Sequence, residues 1–200
     1  MRHNALALVV VGLLLAADEP GKGQVKNDPQ ASVEPRSGTG AGQKFLEKFV
    51  GDWDVKKSFL PRSGDPVTTT GRCRQSMVHG GRFLSSEFVF NTGATESTGT
   101  GLIGFEPATG RFTSVWTDSR QTRMSFRQGA GPFDGKAIVL HSRSLDPEAK
   151  DSRRSKTVTT LDDDGRRIVH RQFTVAADGA ERLMMELIMT RRSGRSAATR

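Results

Sequence analysis

Phe45-Leu-Glu-Lys-Phe-Val-Gly-Asp-Trp-Asp-Val55 is the stretch where the rhythm of the chain changes. Phe45, Leu46 and Phe49 recur at helical spacing and Gly51 follows as a stop, so Gln43–Val50 reads as a short helix. From Trp53 onward apolar residues recur at every second position in short runs, and β-branched and aromatic side chains become frequent. This period predicts about ten strands, near 53–60, 67–78, 82–91, 97–106, 111–118, 121–128, 136–144, 153–161, 166–175 and 181–191. Between them stand tight-turn sequences: His79-Gly-Gly81, Pro107-Ala-Thr-Gly110, Asp162-Asp-Asp-Gly165 and Ala177-Asp-Gly179, in which glycine supplies the positive φ of hairpin loops. No gap after Trp53 is long or apolar enough for a crossover helix, so consecutive strands should pair antiparallel. The expected fold is all-β, an up-and-down antiparallel β-barrel preceded by a short helix. Closure is favoured because ten strands in one open sheet expose two long edges, and a β-sandwich is the structural alternative.

Both flanks differ from this body. Met1-Arg-His-Asn4 is a short basic segment, followed by 13 apolar residues from Ala5 to Ala17 and then Asp18-Glu-Pro20, the layout of a signal peptide over residues 1–17. The run is shorter than the ~20 residues a spanning helix needs, which favours cleavage. Ala16 or Ala17 can end the leader, but Leu14 or Leu15 stands where a small residue is preferred, so an uncleaved tether remains open. No cysteine follows the run to carry a lipid. Residues 18–42 are rich in Pro, Gly, Ser and mixed charge and are expected to form a flexible linker. The folded domain is expected over 43–192, a basic disordered tail over 193–200, and the location is expected to be periplasmic or secreted.

The formal charge of +8 is not a nucleic-acid signature once it is divided along the chain. Residues 43–190 hold 22 Lys/Arg against 18 Asp/Glu, a net of +4, and Arg191, Arg192, Arg195 and Arg200 add the other +4. The body lacks a basic stripe and aromatics spaced for base stacking, which leaves the tail as a weak contact for the cell envelope. Cys73 is the one cysteine, so no intramolecular disulfide can form. Arg72 and Arg74 point to the opposite strand face from it, which favours a buried apolar role over a reactive thiol.

Gly51-Asp-Trp53 resembles the G-x-W with which lipocalins and related calycin barrels seal one end, the glycine letting the backbone enter the floor and the tryptophan plugging it. Counting the last strand by twos puts Leu183, Met185, Leu187, Met189 and Arg191 on one face. In calycin barrels an arginine of the last strand lies over that tryptophan, so the resemblance implies a cation–π contact between Arg191 and Trp53, roughly 0.5–2 kcal/mol. A fuller resemblance is to DUF1579, a domain family of unknown function common in exported bacterial proteins. Its carriers are Phe49-Val-Gly-Asp-Trp-Asp-Val55, Gly80-Gly-Arg-Phe-Leu-Ser-Ser-Glu-Phe88, Gly99-Thr-Gly-Leu-Ile-Gly-Phe-Glu-Pro107, Gly110-Arg-Phe-Thr-Ser-Val-Trp-Thr-Asp118 and Met189-Thr-Arg-Arg192. The chain departs from the family at Phe105-Glu106, where Tyr-Asp is usual, and at Arg120-Gln121, where Met-Gly or Met-Ser is usual. The second departure alters a loop and puts in doubt the transfer of any site there. The resemblance implies a lipocalin-like barrel and brings no activity with it.

Trp116 and Asp118 share a face with Phe112 and Ser114, as a ligand-facing pair or as a core indole followed by a turn-opening acid, the simpler reading. Glu87 falls opposite Leu84, Phe88 and Phe90, a solvated position. His79, His141 and His170 lack a second ligand at metal spacing. A related family, the nitrobindins, holds haem through a histidine; His170 would be the counterpart, but that family's motifs are missing, so no cofactor is expected. No nucleophile–base pattern or phosphate loop is present, and Asp162-Asp-Asp-Gly165 reads as a hairpin tip rather than a calcium loop. The face of Gly71, Cys73, Gln75 and Met77 mixes small residues with a thioether, which suits an adaptable cavity or a filled core. Three functions follow. The first is a module binding a small apolar molecule, with Trp116, Met77, Met185 and Phe88 as wall and Gly51, Trp53 and Arg191 closing the barrel. The second is an envelope interaction protein with a filled barrel, and the third is an enzyme of unrecognised type.

Overall fold

The computed structural model describes residues 38–92, 95–143, 154–162 and 164–193; the expected leader over 1–17, most of the expected linker over 18–42 and the expected tail from 194 lie outside them. One helix, α1 (Ala41–Glu47), precedes ten strands. These are β1 (Gly51–Phe59), β2 (Val67–Val78), β3 (Phe83–Thr92), β4 (Thr95–Glu106), β5 (Arg111–Asp118), β6 (Ser125–Gln128), β7 (Ala137–Arg143), β8 (Arg154–Leu161), β9 (Arg167–Val175) and β10 (Glu181–Arg191). Each strand pairs antiparallel with its neighbours in sequence, and β1 pairs with β10 to close the ring. The all-β, up-and-down barrel read from the period-two pattern is the fold.

Three details differ from the sequence reading, each for a local reason. Helix α1 starts two residues early because Gln43 reaches back to accept the Gly40 N–H at 2.7 Å, while its amide donates to the Phe105 carbonyl at 2.7 Å. Strand β6 begins at Ser125 rather than 121, because Asp118 draws the next residues into a turn, accepting the Arg120 N–H at 2.9 Å and the Gln121 side-chain amide at 3.2 Å. In β10 the register jumps between Leu183 and Met185, a β-bulge. Leu183 therefore pairs with Phe173 on the outer face, while Met185, Leu187 and Met189 pair with the inward Gln172, His170 and Ile168. The expected single face of five residues is thus four.

The floor is built around Trp53, which is fully buried and whose indole N–H donates to the Phe49 carbonyl at 3.0 Å. Trp53 and Arg191 are register partners across the closing seam. Both therefore point inward, and the guanidinium lies 4.2 Å from the indole centroid. Arg191 also donates to the carbonyls of Gly165, Val50 and Lys48 at 2.8, 2.6 and 2.7 Å, tying the turn before β9 and the chain after α1 to the same point. Gly51 has φ +142°, and a Cβ there would lie 2.6 Å from Arg191 Nη1, so both conformation and space demand glycine. Phe45, Phe105 and Phe112 pack edge-on or tilted around Phe133, a side chain from the β6–β7 loop held by its N–H to the Gly110 carbonyl. Leu46, Phe49, Leu84, Ile138, Ile168 and Met189 fill the rest.

Trp53→Ala should cost about 3–5 kcal/mol through the cavity it leaves, and Arg191→Met about 2–4 kcal/mol through the lost stacking and charge-assisted hydrogen bonds. Urea unfolding of both variants checks the order. An Arg191→Met protein as stable as the parent would show that the seam does not need its clamp.

Candidate functional site

Above the floor the inner wall changes character. Continuing β1 by twos from Trp53 and Val55 brings Lys57 and then Phe59 inward, opposite Leu187 and Met185 of β10. On the facing side Phe88 and Phe90 stack with centroids 5.6 Å apart, and Phe88 meets Trp116 edge-on at 5.5 Å. The indole lies flat against β4 because that strand carries glycine there: a Cβ on Gly99 would come within 2.4 Å of the Trp116 ring. Lys57 places its ammonium 3.9 Å from the Phe90 centroid. Burial and the charge of Arg120 draw its pKa down, partly offset by Asp118.

Polar side chains on this wall are numerous. Trp116 donates its indole N–H to Asp118 at 3.0 Å, so the two form a bonded pair while Asp118 also opens its turn. Burial alone would raise the Asp118 pKa; the hydrogen bonds from Trp116, the Arg120 backbone and Gln121, with the Arg120 charge, override it and hold the carboxyl below its ordinary value. Thr159 shares a 2.7 Å hydrogen bond with His170 Nδ1, and beside the floor Gln75 donates to Ser86 at 2.9 Å. Burial, helped by the charge of Arg127, pushes His170 down to about 4. Arg127 sits opposite Ser114 and Ser142, so it too faces inward, and burial lowers its pKa.

Two observations separate this region from the floor. Lys57, Trp116, Asp118, Arg127, His170, Gln172 and Met185 all point inward yet remain half-buried, whereas inward residues of the floor such as Trp53, Leu84 and Ile168 are sealed. The buried polar side-chain atoms left without a partner among the described residues are Thr69 Oγ1, Gln75 Oε1 and Arg127 Nε, and each belongs to an inward position. Gln75 lies beside the floor between Cys73 and Met77, whereas Thr69 and Arg127 stand on the upper wall; buried polar groups are normally satisfied, so those two orphans mark a place that the described residues do not complete.

Of the residues singled out from sequence, Trp116 and Phe88 touch and Met185 lies on the same inner surface of the opposite strands. Met77 does not join them: it pairs with Leu84 at the closed end and belongs to the floor. Gly51, Trp53 and Arg191 meet at the floor. Cys73 is buried there, and burial with the charges of Glu87 and Asp52 pushes its thiol pKa up, away from nucleophilic use. His79 has φ 52° in its turn and lies edge-on to Phe83, while His141 faces outward opposite Gln128 and Lys156. Among the described residues no three His, Cys, Asp or Glu side chains converge to hold a metal ion. Lys57 and Arg127 escaped the sequence reading; for Lys57, counting by twos from Trp53 was the available signal. Two outer depressions also exist, one of about 370 Å³ with Phe83, Leu102, Val115 and Phe126 in its lining and one of about 230 Å³ lined by Asp52, Arg72, Arg74, Glu87 and Arg192, among others.

A closed ten-stranded meander, plugged at one end by an indole under a guanidinium and lined above it by half-exposed side chains, is a lipocalin-like barrel. The family model DUF1579, a protein of unknown function, matches residues 39–191, and the chain belongs to that family. Among solved structures it is similar to Rv2717c from M. tuberculosis, with TM-score 0.56 and 16% identity over 78% of this chain and 100% of that one. It is also similar to the S-type phycobiliprotein lyase CPES from Guillardia theta, with TM-score 0.53 and 11% identity over 82% and 98% of the two chains. At these identities the likeness is one of fold. No curated protein matches the chain.

His170 gives the site a pH signature. Its folded pKa of about 4 lies below the ordinary 6.5. As pH falls through that window the unfolded chain takes up a proton that the folded one refuses, and stability drops. The loss should reach about 2–3 kcal/mol by pH 4. Denaturant unfolding of His170→Gln between pH 7 and 4 should show a flatter decline than the parent, and parallel curves would place the imidazole in contact with solvent.

Proposed function

We propose that this protein is an exported binding module that holds a small, largely apolar molecule in the upper part of its barrel. The observation that carries the reading is the pair of unpartnered buried polar atoms Thr69 Oγ1 and Arg127 Nε on an inner wall where Lys57, Trp116, Asp118, His170, Gln172 and Met185 stay half-exposed. Aromatic side chains and Met185 supply apolar area for a guest, and the sealed floor gives the site a dry end. A closed barrel of about ten strands is wide enough, since eight already hold a small ligand. The same fold occurs in a phycobiliprotein lyase, which is compatible with a small-molecule role. Export rests on the leader pattern of residues 1–17.

A second reading, an envelope interaction protein with a filled barrel, draws on the outer depression beside Phe83, Leu102, Val115 and Phe126. The two are separated by titrating the purified protein with the fluorescent probe N-phenyl-1-naphthylamine. A carrier should saturate near one probe per chain, and Trp116→Ala should weaken uptake about tenfold, while Phe126→Ser on the outer face leaves it unchanged. Sensitivity to Phe126→Ser alone, or no uptake by the folded protein, would reject the carrier. Expression in a Gram-negative host followed by N-terminal sequencing of the periplasmic fraction should give a chain starting at Ala17 or Asp18; a product retained in the cytoplasm would reject export.

A further inference from the structure

We propose that the guest is an apolar monocarboxylic acid whose head group is received by Arg127, with its apolar body lying along Phe88, Phe90 and Trp116. This rests on the carrier reading and specifies what the barrel carries.

Among the described strand residues Asp118 is the one acid on the inner wall, because the other strand carboxylates alternate outward. Its oxygens are already occupied by Trp116, the Arg120 N–H and Gln121. Four cations face inward on the strands; one of them, Arg182 opposite Thr174, donates to the Leu60 carbonyl at 3.2 Å. Arg191 is satisfied at the floor by three carbonyls, and Lys57 rests on the face of Phe90. Arg127 has neither arrangement: its side chain enters none of the ion pairs or hydrogen bonds of the described residues, and its Nε is buried without an acceptor.

Arg127 is half-buried with its Nε sealed, and a guanidinium even partly withdrawn from water without a counter-charge is costly for a fold. Arginine cannot escape by losing its proton as a lysine can, so the charge stays. Among the described residues the wall beside it presents the hydroxyl residues Ser114 and Ser142 but no anion. The missing partner is a planar acceptor with negative charge, and a carboxylate matches the fork of a guanidinium. The surroundings set the rest of the molecule. Arg127 on β6 and His170 on β9 both face inward, and burial keeps that imidazole neutral at pH 7, which leaves the carboxylate to Arg127. Phe88, Phe90 and Trp116 then line an apolar path of aromatic rings, which suits a chain or fused ring rather than a second charge.

The test uses the full chain and displacement of N-phenyl-1-naphthylamine by laurate and by dodecanol, which share a tail and differ in the head. Laurate should displace the probe at least about tenfold better. Arg127→Met should weaken laurate about 10- to 100-fold and leave dodecanol unchanged. The ligand-free thermal midpoint of Arg127→Met should not fall, since the variant loses a charge that had no partner; a drop would assign Arg127 a structural role instead. Should Arg127→Met fail to fold, Arg127→Lys keeps the charge without the fork and should still lower laurate affinity selectively. Equal displacement by both compounds, with uptake intact, would overturn the carboxylate and leave the carrier standing. No displacement by either, with no probe uptake, would remove the carrier reading itself.

Discussion

The contact on which this barrel depends is the stack of the Arg191 guanidinium on the Trp53 indole. A ring of strands needs a first and a last member in register, and here the two partners are the last residue of β10 and the third residue of β1. The same guanidinium collects carbonyls from the end of α1 and from the turn before β9, so three segments distant in sequence, 48–53, the turn at Gly165 and the end of β10, meet at one planar cation. Side-chain packing alone fixes a strand's face. The cation fixes its end as well, since sliding by two residues would leave three carbonyls and an aromatic face unmatched.

With the floor fixed in this way, the wall above it is free to be polar. A small barrel usually fills its interior with interdigitating side chains, and its polar residues stay outside. Here lysine, arginine, histidine, glutamine and aspartate all face inward above a dry aromatic layer. Such an arrangement lowers stability unless each group finds a partner, and several do: Asp118 with Trp116, His170 with Thr159, Gln75 with Ser86. Those pairings set the surroundings of the remaining groups, and Asp118 in particular is committed to Trp116, Gln121 and Arg120.

Much of this was legible in the sequence because strands alternate strictly. Once Trp53 is taken as inward, the faces of β1, β2, β3 and β5 follow, and the glycine turns mark the hairpins. Four features were not legible. Met184 inserts into Leu183-Met-Met-Glu-Leu187, where apolar residues flank either choice of face, so no break in hydropathy betrays the bulge. The short β6 is set by the Asp118 carboxylate reaching forward to residues 120 and 121, a side-chain event outside any periodicity. Phe133 reaches the floor from a loop that belongs to no repeat. Arg127 was hidden by the ordinary expectation that charge faces water, on a strand too brief to impose its own rhythm.

That brevity also distributes mechanical strength unevenly around the ring. β6 is in register with β5 over four residues and with β7 over three, against nine for β1 with β2. Fewer rungs mean a lower free energy for local parting, so the circumference has a compliant seam facing a rigid arc. The orphan guanidinium stands on that seam, where parting the strands would return it to water.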